Sequence, residues 1–221
     1  MSGFFMRLTF ETPVFSDREF LIVFAVRAFP QARHVFYRSW APILQHPFFD
    51  ENADDALNYG AIGAVIGHEI THGFDDQGSK YDAKGNLKSW WTKEDRARFE
   101  KRAKIIEKQF NEYRLHGVHV NGSLTKGENI ADLGGASIAF DAYQARLKKS
   151  GRSVLDKLTP EQRYFLSFAL FEREVARPES LKTQMLNDPH SPHIFRINGP
   201  LSNLPEFYQA FGVQKGDKLY R

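Results

Sequence analysis

The sequence predicts a mainly α-helical domain with minor β structure. Three observations carry that expectation. From Pro42 onward, apolar residues recur at helical spacing between recognisable start and stop residues. Strand signals are confined to short stretches beside Gly-containing turns. A 42% apolar composition with 20 Phe in 221 residues supplies enough packing material for a buried core.

Residues 1–41 differ from the rest. They are Phe-rich, lack a sustained period and are interrupted by Pro13 and Pro30, so a divergent, poorly structured segment is expected there. The folded unit is expected over 42–221.

The first clear helix is expected from Ala56 to His72, closed by Gly73. Gly60, Gly63 and Gly67 share one face of it. Each costs roughly 1 kcal/mol relative to Ala in a helix interior, so such a face demands close approach by another backbone. A second helix follows Thr92, with Asp95 placed as in a capping box, and repeats Phe99, Ala103, Ile106, Phe110 and Tyr113 along one stripe. Short hairpins are expected at Lys84-Gly85-Asn86 and at Asn121-Gly122. A third helix spans Glu128 to Lys148 and carries Gly134-Gly135, so it is expected to cross the first closely. A fourth opens at Thr159-Pro160-Glu161-Gln162, which combines an N-cap, Pro at the first helical position and Gln at the third. A short helix from Pro178 to Leu186, a loop from Asp188 to His193 and a last helix from Asn203-Leu204-Pro205-Glu206 to Gly212 complete the chain.

Composition narrows function. Thirty basic against 27 acidic residues leave a net charge of only +3. No Lys/Arg run exceeds two, so no nucleic-acid partner is expected. The longest apolar run, Phe20 to Val26, is far below the ~20 residues needed to cross a bilayer, and no secretory signal is legible. The absence of Cys removes disulfides and thiolate metal sites, so any metal must be held by His, Asp or Glu.

The sharpest signal is His68-Glu69-Ile70-Thr71-His72. Histidines four apart stack on one helical face, so both imidazoles can reach one zinc ion, while Glu69 stands beside the first ligand as a general base. This composition would produce the pattern by chance roughly 0.02 times, which favours a site over coincidence. A catalytic zinc needs a third protein ligand and an open position. Asp75 and Gly78 stand where the extended metzincin motif wants Gly and His, which disfavours that class. The remaining candidate is Glu128. Thr125-Lys126-Gly127-Glu128 also fits a capping box, in which Glu128 would bond a backbone N–H instead. Asp132, four residues beyond Glu128, and Asp75, three beyond His72, suit carboxylates that take the second ring N–H of a ligating His.

Asn58-Tyr59-Gly60, Val65 to Asp76, Trp90-Trp91, Gly127 to Asp132, and His190-Ser191-Pro192 with Arg196 together resemble the neprilysin and endothelin-converting-enzyme family of zinc endopeptidases, including its bacterial oligopeptidase members. The resemblance covers about Pro42 to Tyr220. It implies a thermolysin-like (zincin) catalytic domain and one zinc per chain, held by His68, His72 and Glu128. Glu69 would be the base, and Asp132 and Asp75 would support His68 and His72. His190 and Arg196 would stabilise the oxyanion and hold the substrate. Val65, Ile43 and Phe48 would form the apolar pocket for the residue after the scissile bond. The implied reaction is hydrolysis of internal bonds in oligopeptides, with apolar residues preferred on the leaving side.

Three departures accompany that resemblance. The family's N-terminal helical lobe is absent from this chain. Arg27 stands where an ungapped match places the family's substrate-gripping Asn. Glu172 stands where relatives usually carry Trp, and the chain stops at Arg221, before the family's terminal Trp segment. A truncated catalytic domain is therefore expected, and a fragment that binds zinc with little or no turnover is the alternative. Lack of Cys fits a bacterial origin; the family includes cytoplasmic and exported members, so the compartment stays open. His116 and His119 are expected to be structural or solvated.

Overall fold

A computed structural model describes residues 43–221. The expectation for residues 1–41, including Arg27, lies outside the described residues, as does the proposed boundary at 42.

The helix expected from Ala56 to His72 forms in three pieces: α1 (Asp55–Asn58), a π-helical turn (Tyr59–Gly63) and α2 (Ala64–His72). After it come a single 3-10 turn at Gly78–Lys80, α3 (Lys93–Glu112), the two-residue strands β1 (Arg114–Leu115) and β2 (Val118–His119), and α4 (Lys126–Ser150). Helices α5 (Pro160–Phe171), α6 (Pro178–Asn187), α7 (His193–Leu201) and α8 (Pro205–Phe211) follow. The only sheet among the described residues is the antiparallel β1–β2 pair.

The start signals act as expected where a side chain reaches a free backbone donor. Thr92 accepts the Asp95 N–H at the head of α3. Thr159 and Gln162 complete a capping box on α5, with Pro160 supplying the fixed φ of the first helical residue. Gly212 closes α8 in the left-handed conformation.

Three local expectations are corrected. The hairpin turns at His116-Gly117, both at positive φ, and not at Asn121-Gly122. Asn121 instead starts the approach to α4, its side chain accepting the Leu124 N–H and its carbonyl the Thr125 N–H. Around Lys84-Gly85-Asn86 the chain does turn, but a lone Tyr81–Leu87 bridge forms where a ladder was expected. Finally, His193 belongs to a helix and not to the preceding loop: α7 runs from His193 through Gly199-Pro200 to Leu201. Pro200 sits in the last turn, and Gly199 is required because a Cβ there would lie 2.4 Å from the Phe110 ring.

The glycine faces do bring backbones together. A Cβ on Gly67 would lie 2.9 Å from the Gly135 Cα, and one on Gly135 would lie 2.4 Å from the Ala64 carbonyl oxygen. Helices α2 and α4 therefore cross with no side chain between them at that point. Gly60 faces α5 instead: its Cβ would meet the Tyr164 carbonyl at 2.4 Å. The π-turn shifts the phase between Gly60 and Gly67, so glycines that share a face in an ideal α-helix serve two different neighbours.

Two apolar clusters flank this crossing. The larger joins the later turns of α4 (Ala136, Ala139, Phe140, Tyr143, Leu147) to Tyr164, Phe165 and Phe168 of α5 and to Phe207 of α8. The smaller gathers Ile106 and Phe110 of α3, Val120 and Met185, with Phe195 stacked on Tyr113 at 4.7 Å. Ion pairs from Asp54 to Arg163 (2.5 Å) and from Asp55 to Arg146 (2.8 Å) tie the start of α1 to α5 and α4. No described helix is long and apolar enough to cross a membrane.

Candidate metal centre

The His68-to-His72 helix is buried because the apolar residues ahead of it, Ala61 to Ile66, enter the core between α4 and α5. The four-residue spacing then stacks the two imidazoles, whose rings lie edge to face with their Nε2 atoms 3.0 Å apart. Glu128 arrives from the first turn of α4, placed there by the Gly67–Gly135 crossing two turns further along. Its Oε2 lies 3.2 Å from His68 Nε2 and 3.5 Å from His72 Nε2.

The alternative role for Glu128 is not adopted. Thr125 occupies the N-cap without a side-chain capping bond; its hydroxyl donates to the Asn121 carbonyl and accepts from Asn129 Nδ2. Glu128 is thereby released from its own helix terminus. Its Oε2 is buried and forms no well-directed hydrogen bond, an orphaned anionic oxygen facing the ring nitrogens of His68, His72 and His190. Ligands held tetrahedrally at zinc bond lengths stand about 3.3 Å apart. The three edges of 3.0, 3.2 and 3.5 Å match that figure, so these residues fit the ion their chemistry calls for.

Both rings are oriented from behind. His68 Nδ1 lies 2.8 Å from Asp132 Oδ1, and His72 Nδ1 lies 2.7 Å from Asp75 Oδ2, so in each ring Nδ1 carries the proton donated to the carboxylate and Nε2 presents its lone pair. Asp75 is fixed in turn by the Gln77 and Gly78 N–H groups, both donating to its Oδ1. Gly78 is obligatory there, since a Cβ would lie 1.8 Å from the His72 carbonyl oxygen; a His at that position, as in the metzincin pattern, has no room.

Charge balance follows from this wiring. With no metal, burial opposes charge on His68, but Asp132 and Glu128 outweigh it and hold its pKa at about 9. Burial also opposes charge on His72, and Asp75 and Glu128 raise it to about 10. Burial alone would lift Glu128, yet the imidazoles of His190, His68 and His72 hold it well below the usual carboxylate range.

His190 reaches the same oxygen from the loop before α7, its Nε2 3.3 Å from Glu128 Oε2 and its Nδ1 2.8 Å from Asp188 Oδ1. The Glu128 carboxylate facing it raises its pKa, burial works against this, and Asp188 adds to the rise. Arg196 lies behind the same cluster. Its Nε and Nη2 donate to Asp132 Oδ2 and Oδ1 at 2.8 and 2.7 Å, and the side chain is 14% exposed. Asp132 is thus a bridge between His68 and Arg196. Burial and these carboxylate partners act oppositely on Arg196, and the partners prevail, keeping its pKa above the ordinary value.

Glu69 is half-buried on the helix carrying both histidines, and no hydrogen bond or ion pair among the described residues engages its carboxylate. Val65, one turn earlier, is half-buried, as are Ile43 and Phe48; the Phe48 carbonyl accepts the Ile62 N–H at 3.3 Å, and its ring lies 6.1 Å from Phe171. Beside the centre opens a cavity of about 550 Å³ bordered by His72, Asp76, Leu124, Glu128 and Pro189. His116 and His119 lie at the β1–β2 hairpin, away from this cluster.

Sequence reasoning missed the residues that seat the His190 loop. Ser191, fully buried, donates to Asn129 Oδ1 at 2.8 Å, and Gln184 Nε2 donates to the His190 carbonyl at 3.3 Å. The available signal was Asn129 beside Glu128 and Ser191 beside His190, each adjacent to a candidate site residue.

Comparison with known proteins places the chain in a family. The model of Peptidase family M13 matches residues 29–221. Neprilysin-1 of Caenorhabditis elegans is 45% identical over 186 residues, 81% of this chain and 25% of its own length. Endothelin-converting enzyme 1 of the rat is 44% identical over 182 residues, again 81% of this chain and 24% of its own. Among solved structures, the zinc metalloprotease Zmp1 of Mycobacterium tuberculosis, in complex with an inhibitor, superposes with a TM-score of 0.79 at 49% identity, over 82% of this chain and 29% of that one. This chain spans about a quarter of the length of the curated relatives it matches. The mainly helical fold of the described residues is thus shared with part of a zinc metalloprotease, and the chain belongs to peptidase family M13.

Proposed function

We propose that this chain forms the zinc-binding part of an endopeptidase that hydrolyses internal bonds of oligopeptides. The observation that carries the reading is the triangle of His68 Nε2, His72 Nε2 and Glu128 Oε2, with edges of 3.0, 3.2 and 3.5 Å around a buried carboxylate oxygen that no hydrogen bond of good geometry satisfies. Zinc held by these three atoms would supply a Lewis acid for the scissile carbonyl and lower the pKa of water.

The chain's own residues account for the remaining requirements. Asp132 and Asp75 hold each imidazole in the tautomer that exposes Nε2. Glu69, unengaged by any described partner, accepts the proton of the attacking water and returns it to the departing amine as the C–N bond breaks. His190 donates from Nδ1 to Asp188, and its raised pKa favours the imidazolium, in which Nε2 also carries a proton directed toward the centre, where negative charge would grow on the former carbonyl oxygen. Arg196 holds the substrate through whatever its fork leaves free beyond Asp132. Val65, Ile43 and Phe48 accept an apolar side chain on the leaving side.

A second reading is favoured by one observation. Arg196 commits both Nε and Nη2 to Asp132 and exposes little of itself, so a chain that holds zinc but positions substrate poorly is consistent with this arrangement. Zinc content by atomic spectroscopy and cleavage of a quenched oligopeptide separate the readings. The peptidase reading expects one zinc per chain and turnover reduced about 10²–10⁴-fold in Glu69→Gln. One zinc with no turnover favours the second reading; turnover undiminished in Glu69→Gln overturns the proposed role of that residue.

A further inference from the structure

Helix α7 begins with a pair of residues on one face, His193 and, one turn on, Arg196. Both face Glu172, the residue that terminates α5. Glu172 is 3% exposed, an uncommon state for a carboxylate. Its Oε2 lies 2.6 Å from His193 Nδ1, a charge-assisted bond, while its Oε1 stands 3.7 Å from Arg196 Nη2, outside hydrogen-bond reach. The same Nη2 donates to Asp132 Oδ1 at 2.7 Å, and that oxygen also accepts His68 Nδ1 at 2.8 Å.

Two buried carboxylates thus compete for one guanidinium. Asp132 has it, and Glu172 is satisfied by His193 instead. A buried anion without a donor is costly, so removing the His193 bond leaves Glu172 one remaining cation within reach, Arg196. A shift of about 1 Å brings Nη2 into hydrogen-bond distance of Glu172 and takes it from Asp132. Asp132 then loses one of the contacts that fix its carboxylate plane behind His68. The groups facing His193 are Glu172, Glu174 (Nε2 to Oε2, 3.7 Å) and Arg196, so no other described cation could replace the imidazole at Glu172.

We infer that His193 is a positioning residue of the proposed zinc site: by occupying the buried Glu172 carboxylate it keeps Arg196 on Asp132, and Asp132 on His68. This rests on the zinc reading given above, and deepens it by assigning a role to a histidine outside the ligand set. Glu172 in this account contributes nothing to metal binding; it is the competitor that His193 restrains.

The inference makes an unusual demand on double substitution. In His193→Phe the ring's bulk is kept and the donor lost, and zinc affinity of the 221-residue chain, read by competition with a chromogenic chelator, is expected to fall about tenfold, the lower end for residues that support a ligand. Glu172→Gln alone is expected within about threefold of wild type, because a neutral amide no longer competes for Arg196. The double variant is expected to recover most of the loss, whereas a merely structural role for His193 predicts additive damage. Thermal unfolding of each variant identifies any that fail to fold; if His193→Phe is among them, His193→Leu, which also lacks a donor, takes its place in the same single and double comparison. An unchanged affinity in folded His193→Phe, a double variant as weak as the single, or a tenfold loss in Glu172→Gln each overturns the inference while leaving the zinc site standing. A wild-type chain without stoichiometric zinc overturns the functional reading itself.

Discussion

Helix α4 passes through two environments that are built from opposite materials. Its first turns carry Glu128, Asn129, Asp132, Gly134 and Gly135 and meet α2 and the His190 loop through bare backbone and directed polar contacts. Its later turns carry Ala136, Ala139, Phe140, Tyr143 and Leu147 and meet α5 and α8 through aromatic rings, with Phe165 stacked on Phe140 at 5.1 Å and edge-on to Phe207 at 5.5 Å. Apolar burial is non-directional, so the aromatic end can supply stability without fixing any atom to a tenth of an ångström. A metal site needs the reverse: few contacts, each directional and short. The helix joins the two, so the end that sets geometry need not be the end that supplies cohesion.

Substitutions at the two ends are expected to separate those properties. The largest effect belongs to the aromatic end: Phe165→Ala, at a position 1% exposed, is expected to lower unfolding free energy by about 4 kcal/mol in denaturant titrations while leaving zinc affinity of the folded chain within about threefold. A parallel loss of zinc affinity would erase the division. Gly135→Ala sits at the junction and is expected to damage both. Its Cβ would lie 2.4 Å from the Ala64 oxygen and 2.7 Å from the His68 nitrogen, both backbone, so a loss of about 3 kcal/mol should accompany weakened zinc binding. Wild-type unfolding in that variant would refute the crossing.

At the polar end, Asp75→Asn keeps the oxygen that caps Gln77 and Gly78 but gives up the charge behind His72. Zinc affinity is expected to fall about 10–100-fold with little change in the aromatic core, measurable by chelator competition beside near-ultraviolet dichroism. The last test is of pH. In the metal-free chain, His68 and His72 are raised above 6.5 to about 9 and 10, so the stability they contribute is complete below about pH 6.5 and is lost as pH climbs through 9 and 10. Glu128 is depressed, so its contribution is present above about pH 4.5 and lost in acid. Thermal midpoints of the metal-free chain should therefore peak between those limits, while zinc affinity rises with pH because the metal displaces protons. A metal-free optimum above pH 8 would contradict the wiring of the site.

Much of this was legible in the residues. The His-Glu-x-x-His spacing, the start of α5 and the close crossing at the glycines all follow from local rules with one dominant cause. Glu128 was not decided by its own sequence, because a capping box and a ligand look alike until Thr125 is seen to turn its hydroxyl toward Asn121 and Asn129. Helix α7 was not anticipated between the His193 loop and the last helix; its Gly199 fits against Phe110, a contact between residues far apart in the chain. His190 and Arg196 were indicated by resemblance alone; their own neighbours in sequence give no hint of Glu128 or Asp132, which tertiary packing brings to them.

The π-helical turn at Tyr59–Gly63 has a consequence for variation in chain length. Such a turn spends about one more residue per revolution than the α-helices on either side, and Ser167 donates its hydroxyl to the Leu57 carbonyl at the entrance. Trimming one residue inside that segment would leave ordinary α-helix with both flanks still aimed correctly. The same deletion between Val65 and Gly67 would swing the histidines by about 100° relative to what precedes them. The wide turn is thus a spacer that lets the anchored start of the helix and its chemically exacting end accept changes independently.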